Sequence, residues 1–203
     1  MKRPFVAALT GGSGAGKSLA AGYLSSKGVP MIDGDDIARK VVVPGSRCLS
    51  LLVDEFSSDI LFEDGSLNRK KLGAMCFSDS GKRERLNAII HPFIIEDLKE
   101  SVEALHGEGF RYCVVQAPAL LESGLHTFCD RVILITAGQN LQIARISKRD
   151  GISEEDAKAR LDAQAGDERL REIADVEIVN DGSKAEFLAK TEELLQLFSE
   201  WFE

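Results

Sequence analysis

Surplus positive charge, paired cysteines and long apolar runs are what this chain of 203 residues lacks. Lys and Arg number 25 against 33 Asp and Glu, a formal net charge of −8. A general nucleic-acid binder carries a basic balance or a basic stripe, so the deficit argues against that class. It does not exclude a small anionic ligand, because a local pocket can be positive on a negative protein. The four cysteines, Cys48, Cys76, Cys113 and Cys129, are widely scattered and form no C-x-x-C pair. That spacing argues against a zinc site and against a disulfide framework, and leaves them as small buried hydrophobes or incidental thiols. No apolar run is long enough to cross a bilayer, and the first residues lead straight into a strand-like segment without a secretory leader. The expected compartment is the cytoplasm, with neither a membrane nor a nucleic acid as partner. Internal repeats and low-complexity segments are also missing.

What is present is enough apolar residue for a core, at 44%, and enough charge for a soluble surface, at 29%. One motif dominates. Gly11-Gly12-Ser13-Gly14-Ala15-Gly16-Lys17-Ser18 fits G-x-x-x-x-G-K-[ST], the phosphate-holding loop. Glycines allow backbone conformations closed to other residues and keep side chains away from the phosphate. Successive N–H groups can then form an anion nest. Lys17 supplies a cation for the outer phosphates, and Ser18 can place its hydroxyl on Mg²⁺. The context agrees: an apolar run, Phe5 to Thr10, precedes the loop, and a helical segment with Leu19, Ala20, Tyr23 and Leu24 on one face follows it. The helix N-terminus adds partial positive charge at the same place. The nucleotide-binding set expected from this loop is Gly12, Ser13, Gly14, Ala15, Gly16, Lys17, Ser18 and Leu19, with Lys17 also serving catalysis.

Short aliphatic runs near 4–10, 29–33, 111–117, 131–136 and 176–179 read as strands. Helical patterns lie near 16–27, 35–42, 46–56, 68–77, 79–90, 92–106, 139–149, 153–164 and 184–202. Alternation of this kind predicts an α/β three-layer fold on a parallel sheet of five strands, with ligands at the carboxyl ends of the strands. Residues 36–109 are too long for one crossover and read as a helical insertion that builds an acceptor site. Within it, 62–66 reads as a turn, and Pro92 should break or restart a helix after His91. Residues 140–172 are helical and arginine-rich, the charge pattern of a mobile cover over a phosphate site. The chain is therefore divided into a core of 1–35, 110–139 and 173–203, an insertion of 36–109 and a lid of 140–172.

Beyond the loop, the second strand ends in Ile32-Asp33-Gly34-Asp35-Asp36, with Arg39 a helical turn after Asp35. A carboxylate there can hold Mg²⁺ or accept a hydroxyl proton. The competing reading is a helix cap, favoured for Asp36 and disfavoured for Asp35. Arg145 and Arg149 share a helix face and can stabilise the charge that builds on a moving phosphoryl group, or they can pair with local acids such as Asp150 and Glu154. His91 is a packing or capping residue unless the acceptor site recruits it. Glu122, after the third strand, either lines the acceptor site or begins the next helix. Asn180-Asp181-Gly182 is by default a turn, and in a nucleotide fold it can also contact the base.

Taken together, the motifs resemble those of the dephospho-CoA kinase family over nearly the whole chain. The shared pieces are T-G-G-S-G-A-G-K-S at 10–18, I-D-G-D-D-I-A-R at 32–39, V-x-P-G-S at 42–46, D-G-S-L-N-R at 64–69, L-N-A-I-I-H-P at 86–92, P-A-L-L-E at 118–122, K-R-D-G-I-S-E-E-D-A at 148–157 and N-D-G at 180–182. The resemblance implies a P-loop kinase core with a helical acceptor domain and a lid. It also implies transfer of the γ-phosphoryl of ATP, with Mg²⁺, to the 3′-hydroxyl of dephospho-CoA, the last step of CoA synthesis. By the same resemblance Asp35 is the general base, Asp33 and Ser18 are the metal-side residues, and Arg39, His91 and Glu122 surround the acceptor. Arg145 and Arg149 belong to the lid side, Arg145 as a catalytic cation, and Asn180 sits near the adenine. Two departures stand out. Gln164 is followed by Ala165-Gly166 where many relatives have Met-Pro, and Leu170, between Arg169 and Arg171, takes the place of a lysine. The family's P-L-L-F-E reads P-A-L-L-E. The alternatives are another small-molecule or nucleoside monophosphate kinase, or a nucleotide-binding switch that transfers nothing.

Overall fold

The computed structural model describes residues 3–77, 79–162 and 167–202. Among these, five strands form one parallel sheet: β1 (Phe5–Thr10), β2 (Met31–Asp33), β3 (Tyr112–Gln116), β4 (Arg131–Thr136) and β5 (Val176–Val179). Their order across the sheet is β2-β3-β1-β4-β5. The central strand β1 has Phe5 opposite Tyr112 on β3 and Ala7 opposite Arg131 on β4. All strands run the same way, so every strand exit lies at one edge. That edge carries the glycine loop after β1 and Asp33 at the end of β2.

Both faces of the sheet are covered, which is why its strands read as continuous apolar runs. Side chains alternate along β1. Ala7 and Leu9 face a cluster with α1 (Lys17–Ser26) and α9 (Lys184–Phe202), including Leu24, Phe187, Leu194 and Phe198. Val6 and Ala8 face the other cluster, with Ile37 from α2 (Gly34–Lys40) and Ile94, Leu98 and Val102 from α5 (Ser80–Gly107). A third, separate cluster holds the insertion together. There α3 (Arg47–Phe56), the 3₁₀ turn Ser58–Ile60 and α4 (Arg69–Phe77) enclose Cys48, Leu52, Phe56, Ile60, Leu72 and Cys76. The remaining helices are α6 (Gln139–Asp150), α7 (Glu154–Asp162) and α8 (Asp167–Arg171). The short helix α8 and the 3₁₀ turns were not anticipated from sequence. The expected end of a helix at 164, and the motif at 164–166, lie outside the described residues.

Pro92 corrects the expectation of a helix break, because α5 runs unbroken through it. Proline inside a helix removes a backbone hydrogen bond and costs about 3 kcal/mol. Ile94, Leu98 and Val102, all buried beyond it, contribute roughly 1.5–3 kcal/mol each by burial. Before it, Leu86, Ile89 and Ile90 pack on the insertion cluster. The two halves of α5 thus serve two cores, and that packing outweighs the local penalty. All four cysteines are unpaired thiols, three of them buried. Burial pushes Cys113 up to about 12 and Cys48 up to about 11, so both remain protonated packing residues.

Candidate active site

The glycine loop turns sharply because three of its positions admit no side chain. Gly11 has φ 142°, Gly14 φ 75° and Gly16 φ 114°, where L side chains are strained. A Cβ on Gly11 would overlap the Ile135 carbonyl oxygen of β4, and one on Gly16 would overlap the Asn180 amide. The loop is therefore seated directly on the neighbouring strand ends. Asn180, buried at the exit of β5, fixes it from below by donating Nδ2–H to the Ala15 carbonyl at 2.7 Å.

Three cations converge on this loop. Lys17 Nζ donates to the carbonyls of Gly11 at 2.7 Å and Gly12 at 2.8 Å. Arg145 donates to Gly14 O at 3.2 Å and to Asn180 O at 3.0 Å, and Arg149 reaches Ser13 Oγ at 3.5 Å. Both arginines lie on one face of α6, together with Gln142, whose Nε2 donates to Ser13 O at 3.1 Å. Asp150 holds Arg149 by a fork of 2.7 and 2.9 Å and also accepts from Arg160 of α7 at 2.6 Å. This pairing, Arg149 first, holds the Asp150 carboxyl below its usual range and raises the Arg149 guanidinium. Leu170 of α8 lines the same space.

The loop and these cations line a cleft of about 760 Å³. Its other wall is Asp35 on α2, Gln116 at the end of β3, and Pro118, Ala119 and Glu122 in the turn that follows. Of the residues singled out from sequence, Gly12, Ser13, Gly14, Gly16, Lys17, Ser18, Leu19, Asp35, Glu122, Arg145 and Arg149 meet in this one cavity. Five others lie elsewhere. Ala15 is buried beneath the loop, and Asn180 supports it from below without lining the cleft. Asp33, expected on the metal side, caps α2, with Oδ1 accepting from Asp35 N at 2.8 Å and Asp36 N at 3.2 Å. Capping thus falls to Asp33, not to Asp35 or Asp36, and Asp35 lines the cleft. Arg39 is exposed and paired with Asp36 at 2.6 Å. His91 stands behind the wall, with Nε2 2.7 Å from Glu122 O. A carbonyl only accepts, so Nε2 carries the proton in this bond. Glu122 begins no helix: residues 118–123 form turns that the His91 ring and Gly124 brace.

Sequence reasoning missed Gln116 and Gln142. Gln116 was findable as a polar residue at the carboxyl end of a core strand. Gln142 shares the 3- and 4-residue spacing of Arg145 and Arg149, which marks one face. Side-chain oxygens on the cleft wall come from Ser13, Ser18, Asp35, Gln116 and Glu122, and of these Ser18, Asp35 and Gln116 are a set that suits Mg²⁺. No cluster of three or more His, Cys, Asp or Glu that could hold a metal occurs among the described residues.

A parallel sheet with a glycine loop at its switch point, an acid facing that loop and an arginine-bearing helix over it defines a P-loop kinase for a small acceptor. The particular kind follows from likeness to known proteins. The family model described as dephospho-CoA kinase matches residues 5–186, and the chain belongs to that family. Dephospho-CoA kinase from Shouchella clausii is 40% identical over 176 residues, 87% of this chain and 89% of that protein. The Mycobacterium bovis enzyme of the same name is 39% identical over 186 residues, 92% of this chain but only 45% of its own longer length. Among solved structures, dephospho-CoA kinase from Campylobacter jejuni superposes with a TM-score of 0.67 at 30% identity, covering 96% of this chain and 97% of that one.

Proposed function

We propose that the chain transfers the γ-phosphoryl group of ATP to the 3′-hydroxyl of dephospho-CoA, releasing CoA and ADP. The observation that carries this reading is the placement of Asp35 in the same cleft as Lys17, with the sheet edge between them. The loop amides and Lys17 hold the outer phosphates. Asp35 accepts the proton of the ribose hydroxyl, whose oxygen bonds to the γ-phosphorus. The bond from that phosphorus to the β,γ-bridging oxygen breaks, and ADP leaves with the electron pair. Arg145 and Arg149 spread their charge over the moving group. Ser18, with Asp35 and Gln116, would hold Mg²⁺, which when bound neutralises phosphate charge. Glu122 forms the acceptor wall, His91 braces it, and Arg39, a helical turn after Asp35, contacts the acceptor. Asn180 acts on ATP through the loop it supports.

The division of labour follows the chain: core 1–35, 110–139 and 173–203 for the nucleotide, insertion 36–109 for the acceptor, and 140–172 as the lid. Both substrates are small molecules, neither a nucleic acid nor a lipid. No helix among the described residues is long and apolar enough to cross a membrane, and the cytoplasm, where ATP is made, is the compartment that fits. A coupled assay of ADP release tests the reading. Turnover should be high with dephospho-CoA and far lower with AMP, CMP or shikimate. Equal turnover of a nucleoside monophosphate would overturn the acceptor assignment.

A further inference from the structure

The sequence offers Arg149 two fates, a cation for the moving phosphoryl group or a partner for a local acid. The geometry makes the two compatible. Arg149 donates Nε–H to Asp150 Oδ1 at 2.7 Å and one Nη2–H to Oδ2 at 2.9 Å. That fork occupies the Nε edge of the guanidinium. The N–H groups left over all belong to the Nη atoms, and Nη2 lies 3.5 Å from Ser13 Oγ in the glycine loop. The guanidinium is therefore held by one edge and presents the other to the loop.

This is not an ordinary surface pair. Consecutive residues of a helix do not face each other, so a fork between residues 149 and 150 is not the default contact of a helix face. Asp150 is also the last residue of α6, where the helix dipole favours a cation over a carboxylate. Gly151, at φ 65°, turns the chain at once, and Ser153 starts α7 by accepting from Asp156 N at 3.1 Å. The return brings Arg160 of α7 to the same acid, 2.6 Å from Oδ2. The Asp150 side chain is 21% exposed, against 60% for Arg149 and 57% for Arg160, so the acid is the covered member of the three. One carboxylate between two guanidiniums leaves the trio with a net positive charge. Arg160 thus offsets the acid, and Arg149 is oriented without its charge being cancelled beside the phosphate loop.

We propose that Asp150 is a positioning residue for phosphoryl transfer: through its fork it aims the Nη edge of Arg149 at the glycine loop, and through Arg160 it fixes that aim to α7. The proposal rests on the reading above that Arg149 serves transfer. Steady-state kinetics on the full chain with Asp150→Asn, Arg149→Gln and the double variant test it. Asp150→Asn removes a negative charge, so charge alone would tighten ATP and leave kcat unchanged. Positioning predicts a kcat lowered roughly 10- to 100-fold, the range for a misplaced catalytic group, with KM for ATP within about threefold. In the double variant kcat should match that of Arg149→Gln within about twofold, because the two residues act as one unit. A kcat unmoved by Asp150→Asn, where Arg149→Gln lowers it, overturns the positioning role alone. Losses that multiply in the double variant overturn it too, since Asp150 then acts by another route. A wild-type kcat in Arg149→Gln overturns the reading of Arg149 and the positioning role together. Arg160→Gln, at an exposed position, keeps the test decisive if Asp150→Asn folds poorly. Its loss of kcat should likewise vanish in the Arg149→Gln background, and a loss that persists there, or no loss at all, overturns the proposal.

Discussion

The two walls of the cleft are built by different rules. The nucleotide wall is main chain: a loop of six residues whose shape is set by glycines lodged against Ile135 and Asn180, with cations closing over it. The opposite wall is side chain: Asp35, Gln116 and Glu122 come from α2, the end of β3 and the turn after it, backed by α5, whose first half packs on a small core of its own. Main-chain recognition suits a phosphate tail common to every nucleotide triphosphate. Side chains from separate segments suit the choice of one acceptor, because they can vary without disturbing the loop.

That contrast can be broken from either side. The largest effect should come from Lys17→Ala, which removes the cation both from phosphate binding and from the charge developing in transfer. A loss of about 10³-fold in kcat/KM is expected for removing such a donor. Unchanged kinetics would remove the loop from the account. Smaller effects are expected where α8 is tied to the sheet. Glu177 of β5 accepts a fork from Arg171 at 3.0–3.2 Å and a bond from the buried Thr136 hydroxyl at 2.7 Å. These partners, Arg171 first, hold its carboxyl below the ordinary value of 4.5. A depressed folded pKa gives stability that is present above the unfolded value and is lost as pH falls through the folded one. Glu177→Gln should therefore cost no more than about 1 kcal/mol at neutral pH, since the pair is partly solvated. Its thermal stability should also fall less steeply than wild type on acidification below pH 4.5. Parallel curves would show that the fork contributes nothing.

The same contrast explains what could be read from the chain alone. The loop, its strand and its helix are local, so spacing and residue type suffice, and all five strands lie where aliphatic runs place them. Long-range geometry is where reading stopped. Nothing near Asn180 in sequence says that its amide lies under Ala15. Aspartate just before a helix is a capping signal, but aspartates stand together at 33, 35 and 36, and only the fold shows that Asp33 is the one that caps. Pro92 obeys a local rule that two separate cores overrule. His91 reads as a packing or capping residue by its chemistry and as an acceptor neighbour by resemblance, and only the fold shows that its Nε2 meets the carbonyl of Glu122.

The most direct measurement of the central claim uses Asp35→Asn, which keeps shape and removes the charge that takes the proton. Nucleotide affinity by titration and a single-turnover rate with dephospho-CoA should separate cleanly. The account predicts ATP binding within about twofold of wild type and a rate lowered by 10²-fold or more, the usual worth of a general base. A variant that binds ATP and transfers phosphate at the wild-type rate would contradict it.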